Sequence, residues 1–301
     1  IEVANQLMGL YLLDGDVNEA MEIASGISKA NNKEPIAALL LGLRAIKNND
    51  ASTASRILDD VFEDDGGQLW LPLISAWLDA EQNKLLKPLM LEELSAEVGR
   101  AAPIVSYHLA LINARAGFIE VAAQNFKQAV DDSPHPPVRV MRMLLQFYKK
   151  NKSPAVLKPI VAAYLKANPD ADKDLPLVIS NMRDGAAEVL LTMGTIMLAS
   201  DVTQDATLYL QLSLYLKPDL EIATLILSQA YSELQQHGVA NELLAKIQPS
   251  SQLYDTAQLY IAINLGRLKK TDEALDKLNS IIVQSPNNID AYIAKGDLLR
   301  A

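Results

Sequence analysis

The sequence predicts an all-α fold, a solenoid of antiparallel helical hairpins, and three observations carry that prediction. Small residues recur every 34 positions, at Gly194, Ser228, Ala262 and Gly296. A second set, Ala206, Ala240 and Ala274, follows the first three at a fixed interval of 12. A constant period of this length, with small residues at two helical positions, marks stacked hairpins, because a large side chain where two helices cross would push their backbones apart. Composition is the third observation: 50% of the 301 residues are hydrophobic but only 5% are aromatic, a balance that favours helix over sheet.

Measured from Ile1, the same period gives five units, starting at Ile1, Pro35, Leu69, Pro103 and Pro137, with Ala20, Ala54, Pro88, Ala122 and Val156 at position 20. In the first unit, Tyr11 precedes an Asp14-Gly15 turn, and Val17 to Met21 opens the second helix. In the third, Pro72 falls early in the first helix and Pro88 stands where a small residue belongs. Its second helix is therefore expected to begin near Pro88, with proline in the first turn. In the fourth, Gly117 makes the turn, and Ala122, Phe126, Ala129 and Pro134 follow at the spacing of one helical face and its stop. Residues 169–186 then break the register by 16 places. This stretch is rich in Asp and Pro before the apolar run Leu175 to Ile179, and it is expected to form a short extra helix at the joint or a hinge between subdomains.

Units resume at Ala187, Glu221, Asp255 and Ile289. Large residues three and four places apart mark one helical face in each: Leu190, Met193 and Met197, then Leu227 and Tyr231, then Ile261 and Leu265. Pro218 and Pro286 stop the second helices at position 32, where the middle unit has Gln252, with Pro249 just before. Residues 289–301 supply a first helix whose apolar face, Tyr292 and Leu299, calls for a cap, so the natural chain is expected to continue. The expected organisation is thus 1–168 (five units, the third irregular), 169–186 (inserted helix or hinge) and 187–301 (three units and the first helix of a fourth).

Small residues at positions 8 and 20, an aromatic or Leu at 11, a large residue at 24 and Pro at 32 make the chain resemble a tetratricopeptide repeat protein along nearly its whole length. The segments Asp184 to Glu188, Lys217-Pro218-Asp219 and Gly296 to Arg300 are further similar to a group of large bacterial tetratricopeptide proteins seen often in alphaproteobacteria. The resemblance implies a right-handed superhelix and a non-enzymatic scaffold that holds a protein partner. The narrower likeness implies a periplasmic or cell-envelope setting. The resemblance also implies that first helices line a concave groove, exposed at about positions 2, 5, 6, 9, 12 and 13. On that basis the third to fifth units present Trp70, Ile74, Trp77, Tyr107, His108, Leu111, Arg142 and Leu145 as a partner-binding patch, Trp, Tyr and Arg being the types that dominate interface energetics. The alternative is that tryptophans at helical spacing are packed core. In the second block the groove is more polar, with Glu188, Thr192, Thr195, Gln229, Glu233, Tyr260 and Arg267. Some family members grip a C-terminal carboxylate with Lys at position 5 and Asn at position 9. Here those positions hold Asn5, Leu39, Leu73, Tyr107 and Met141, and Gly9, Leu43, Trp77, Leu111 and Leu145, which favours an apolar segment or a helix as ligand.

A formal net charge of -10 argues against a phosphate-backbone binder, which needs clustered Lys and Arg. With no cysteine, disulfides and thiolate metal sites are excluded. His108, His135 and His237 have no histidine three or four places away to share a metal, and no phosphate-binding loop or nucleophile elbow occurs. No enzymatic activity, cofactor or metal is expected. The acidic run Asp59, Asp60, Glu63, Asp64 and Asp65 is a solvated helix end, or a docking spot for a basic partner or calcium that lacks calcium-loop spacing. Apolar stretches such as Leu71 to Leu78 and Val189 to Ala199 fall short of the roughly 20 residues that span a bilayer. The sequence begins at Ile1, which leaves a preceding signal peptide or anchor open. The rival functions are a self-associating part of an envelope assembly and the recognition arm of a larger enzyme or polysaccharide-associated protein.

Overall fold

A computed structural model describes residues 2–29, 34–62, 70–85, 102–152, 154–169, 171 and 179–300, with side chains omitted at 60–62 and 70. Among the described residues there are 16 α-helices, one short 3-10 turn at Ala155–Leu157 and no strand. In order they are α1 (Glu2–Asp14), α2 (Val17–Lys29), α3 (Pro35–Lys47), α4 (Ala51–Phe62), α5 (Trp70–Glu81), α6 (Ala102–Arg115), α7 (Ile119–Asp131) and α8 (Val138–Lys150). Then come α9 (Lys158–Ala167), α10 (Met182–Ala199), α11 (Thr203–Leu216), α12 (Glu221–Glu233), α13 (His237–Leu244), α14 (Tyr254–Arg267), α15 (Thr271–Gln284) and α16 (Ile289–Arg300). The helix expected near Pro88 and residues 63–65 of the acidic run lie outside the described residues.

The chain divides into two compact units. The N-terminal unit comprises residues 1–8 and 18–189, and the C-terminal unit residues 9–17 and 190–301. In the N-terminal unit α3 begins at Pro35, where a missing N–H costs nothing, and Glu34 caps it by accepting from the Ala37 N–H at 2.6 Å. Gly42 of α3 is needed for close approach: a Cβ there would lie 2.7 Å from Leu58 Cδ2 on α4. Pro72 is the third residue of α5, within the first turn, where no intrahelical N–H bond is lost. A buried Asn113–Asn125 hydrogen bond of 3.0 Å ties α6 to α7.

In the C-terminal unit the same crossing recurs at Gly194 of α10, where a Cβ would lie 2.6 Å from Leu210 Cγ on α11. Farther along, Leu259, Ala262, Leu278, Ile281 and Ala291 form one core cluster and Leu225, Leu244, Ile247 and Ala257 another. Of the inserted segment, residues 170 and 172–178, with most of the apolar run expected to form an extra helix, lie outside the described residues; residues 182–186 form the start of α10, which runs 18 residues.

The hairpins are closed by a second lattice. Gly15, Asn49, Asn83 and Gly117, then Asp201, Gln235 and Lys269, adopt positive φ between 55° and 87°. They follow one another at the repeat period within each block. After each, the next N–H bonds to a carbonyl five residues back, as from Asp50 to Ala45 (2.9 Å), Gln236 to Tyr231 (2.8 Å) and Lys270 to Leu265 (2.9 Å). This pairing satisfies the last carbonyls of the first helix and turns the chain into the second. The sequence marks only Gly15 and Gly117 as such turns.

Candidate functional site

Residues 179–189 cover the first helices of the third to fifth units. Ile179 and Ser180 share a pocket with Leu111, Arg115 and Met143. The Met182 N–H bonds to Glu81 Oε2 at 3.2 Å, and Arg115 reaches the same oxygen at 3.3 Å. One turn on, Gly185 presses its backbone against the Trp77 indole, and any Cβ there would run into the ring. Glycine in a helix interior costs about 1 kcal/mol relative to alanine, and this approach is what it permits. Another turn on, Glu188 accepts from Tyr107 OH at 2.7 Å and Arg139 Nε at 2.6 Å, with Arg139 Nη2 on its second oxygen. The start of α10 therefore fills the groove that α5, α6 and α8 would otherwise present.

This corrects the expected exposed patch. Ile74, Trp77, Tyr107, His108, Leu111 and Leu145 are all buried, and Arg142 is half-buried. Trp70 opens α5, but its side chain lies outside what is described. Tyr107 and His108 are brought together with Glu188 and Trp77 with Gly185, as interior contacts and not as a free surface. Position 5 is buried more widely, in Leu39, Leu73, Leu225 and Leu259 as well, because it lies three residues before the helix crossing at position 8 and shares its face.

The buried polar group is electrostatically matched. Burial opposes the charge on Glu188, but the Arg139 guanidinium and the hydrogen bonds from Arg139 and Tyr107 outweigh it and hold the carboxyl below its ordinary value. Arg139 is pulled up in turn: burial opposes its charge and Glu188 more than restores it. Burial, then the Glu188 charge, pushes the Tyr107 phenol well above its usual value. His108 stacks beside Tyr107 with ring centres 5.2 Å apart, and burial pushes it down to about 4. At neutral pH the group is thus an ion pair, a neutral phenol and a neutral imidazole. The sequence signals it carries are Gly185 inside a helix and the 16-residue slip.

The C-terminal unit keeps an open cleft. Gln229, Glu233, Tyr260 and Arg267, four of the polar positions expected there, line a cavity of about 330 Å3 together with Ser228, Ser232, Ile263 and Asn264. It adjoins a larger one of about 780 Å3 that shares Tyr260, Ile263 and Arg267 and reaches α16. Gln229 Nε2 donates to Tyr260 OH at 2.7 Å, Ser232 donates to Asn264 Oδ1, and Asn264 Nδ2 donates to Asn241 Oδ1 at 3.0 Å. Side-chain amides and hydroxyls on α12, α13 and α14 thus hold one another in place, with Arg267 exposed at the rim. Among the described residues no cluster of His, Cys, Asp or Glu could hold a metal ion, and no helix is long and apolar enough to cross a membrane.

No protein-family model matches the sequence, and no curated protein matches it. Among solved structures the chain is similar to the TPR domain of P58(IPK), at 13% identity over 99% of this chain and 97% of that one, with a TM-score of 0.35. It is similar to the TPR2AB domain of yeast Sti1 in complex with pHSP90, at 13% identity over 99% and 96%, with a TM-score of 0.33. It is also similar to the C-terminal part of a TPR repeat-containing protein from Cytophaga hutchinsonii, at 13% identity over 96% and 98%, with a TM-score of 0.31.

Proposed function

We propose that this chain is a non-enzymatic scaffold that holds a peptide or a partner's helix in the cleft along α12 and α14 of its C-terminal unit. The observation that carries the reading is the cleft itself: an open channel with an apolar floor at Ile263, a fixed ladder of amides and hydroxyls, and a cation at the rim. Ordered polar groups around apolar floor space suit a segment that offers both backbone and side-chain partners. The N-terminal unit supplies a precedent within the chain, since its corresponding first-helix surface is covered by a helix. The cell-envelope setting implied by the Asp184 to Glu188, Lys217 to Asp219 and Gly296 to Arg300 segments belongs to the same proposal.

The test is selection of binders from a displayed library of 20-residue helical peptides, followed by fluorescence anisotropy with the full chain. Tyr260→Ala combined with Arg267→Glu is expected to weaken the selected peptides about ten-fold or more, with the circular dichroism unchanged. Undiminished affinity in that variant refutes the cleft as the binding surface.

A further inference from the structure

Two pairs of first helices end on the same two residue types. In the N-terminal unit α5 closes on Glu81 and α6, one repeat later, on Arg115; in the C-terminal unit α12 closes on Glu233 and α14, one repeat later, on Arg267. A carboxylate in the last turn meets the negative end of its own helix, so neither glutamate stabilises the helix that carries it. In the N-terminal unit Glu81 has another task. Its Oε2 accepts from Arg115 at 3.3 Å and from the Met182 N–H at 3.2 Å. Met182 opens α10, and its N–H is one of the four that a helix start leaves without a partner inside the helix. Asn181 Oδ1 takes a second of these, from Asp184, at 2.9 Å. The acidic end of α5 is thus a seat for the positive end of an incoming helix, which passes Trp77 one turn later at Gly185.

In the C-terminal unit the same seat is built and unspent. Glu233 and Arg267 are exposed and line one cavity with Gln229 and Tyr260. One Glu233 oxygen accepts from Thr203 Oγ1 at 3.0 Å, which orients the carboxylate, and Arg267 makes no hydrogen bond or ion pair among the described residues. Gln229 stands at position 9, where the N-terminal unit has Trp77. Because Gln229 donates to the Tyr260 oxygen, the Tyr260 hydrogen and the Gln229 carbonyl are left for a ligand. We propose that the cleft receives the amino-terminal end of a partner's helix, seated by its free N–H groups on Glu233. An acidic residue in the first turn of that helix meets Arg267, and an amide side chain one turn on meets Gln229 and Tyr260. The acid is needed because a bare guanidinium would otherwise face the positive helix start, and α10 itself carries Asp184 in its first turn. The amide supplies an acceptor for Tyr260 and a donor for Gln229 at once. This rests on the cleft reading above and adds to it the polarity and chemistry of the partner.

The probe is an acetylated peptide with the sequence of residues 180–195 carrying Gly185→Gln and a fluorescein at its C-terminal end. The substitution supplies the amide and bars the probe from the N-terminal groove, where any Cβ at that position meets the Trp77 ring. Anisotropy with the full chain should show saturable binding. Glu233→Lys should weaken it about ten-fold or more with the circular dichroism unchanged, and a peptide of the same residues in reverse order should lose as much. Asp184→Arg in the peptide should weaken binding to the parent chain and regain it on the Arg267→Glu chain. Absence of saturable binding, equal affinity for the two peptide orders, an unaffected Glu233→Lys chain, or no regain in the charge swap each overturns the proposal. The cleft reading fails separately, only if Tyr260→Ala with Arg267→Glu leaves the library-selected binders at full affinity.

Discussion

Truncating Glu188 to alanine should destabilise the N-terminal unit by about 3–5 kcal/mol, the cost of breaking a buried ion pair from one side. Glu188 is 1% exposed and accepts three hydrogen bonds, two from Arg139, whose side chain is only 19% exposed, and one from the Tyr107 hydroxyl. Without the carboxylate, the buried Arg139 cation loses its counter-charge and the Tyr107 hydroxyl loses its acceptor. Replacing both charges at once, Glu188→Leu with Arg139→Met, removes the stranded cation. The remaining loss is then about 1–3 kcal/mol for the orphaned Tyr107 hydroxyl, and adding Tyr107→Phe should recover most of it. The coupling between the two charged residues in a double-mutant cycle is thus expected at about 2 kcal/mol or more. Urea titration followed by tryptophan fluorescence measures it cleanly, because both tryptophans of the chain, Trp70 and Trp77, lie in the N-terminal unit. Single substitutions that cost less than about 1 kcal/mol, or that simply add in the double variant, would refute the claim that this pair pins α10 in the groove.

Acid should loosen the same unit. The folded value of His108, about 4, lies below its unfolded value near 6.5, so its contribution is complete above about pH 6.5 and falls as pH drops towards 4, by about 3 kcal/mol in full. Glu188, depressed in the fold, adds to the loss at lower pH, as its contribution goes when pH falls through its folded value. His108→Phe should flatten the slope of the urea midpoint between pH 6.5 and 4; an unchanged slope would assign it to other groups. At the hairpin turns, Gln235→Gly should raise stability by about 1 kcal/mol, since a non-glycine residue at φ 64° is strained by about that amount. Thermal unfolding by circular dichroism reads this, and a lowered midpoint would show that the Gln235 side chain stabilises the turn.

The hairpin architecture is legible in the sequence because close helix crossing demands small residues, and Gly42, Gly194 and Ala262 declare themselves wherever a period is sought. The turn lattice is only partly legible. Glycine at 15 and 117 advertises a left-handed residue and asparagine at 49 and 83 hints at one, but Gln235 and Lys269 carry no such signal, because the hydrogen bonds of the two flanking helices impose the conformation on whatever side chain stands there. The polar cleft can be read at Gln229, Glu233, Tyr260 and Arg267, since those types at first-helix positions have nowhere apolar to go. The aromatic patch misleads for the opposite reason. Trp77 and Tyr107 suit an interface and suit a core equally, and what decides between them is Gly185 and Glu188, 81 or more residues away in sequence.

That docking also has a temporal side. Most hairpin bonds join near neighbours, but the contacts of α10 close spans of 49, 81 and 101 residues, to Arg139, Tyr107 and Glu81. An array with local contacts alone can form or fray one repeat at a time; spans of this size slow the search and make the N-terminal unit open as a block. During synthesis, at roughly 5–20 residues per second, Tyr107 is made roughly 4–16 seconds before Glu188 exists. For that interval the nascent chain carries an apolar groove before the helix destined for it has been translated, and whatever else offers a small residue and a carboxylate at the right spacing competes for the place.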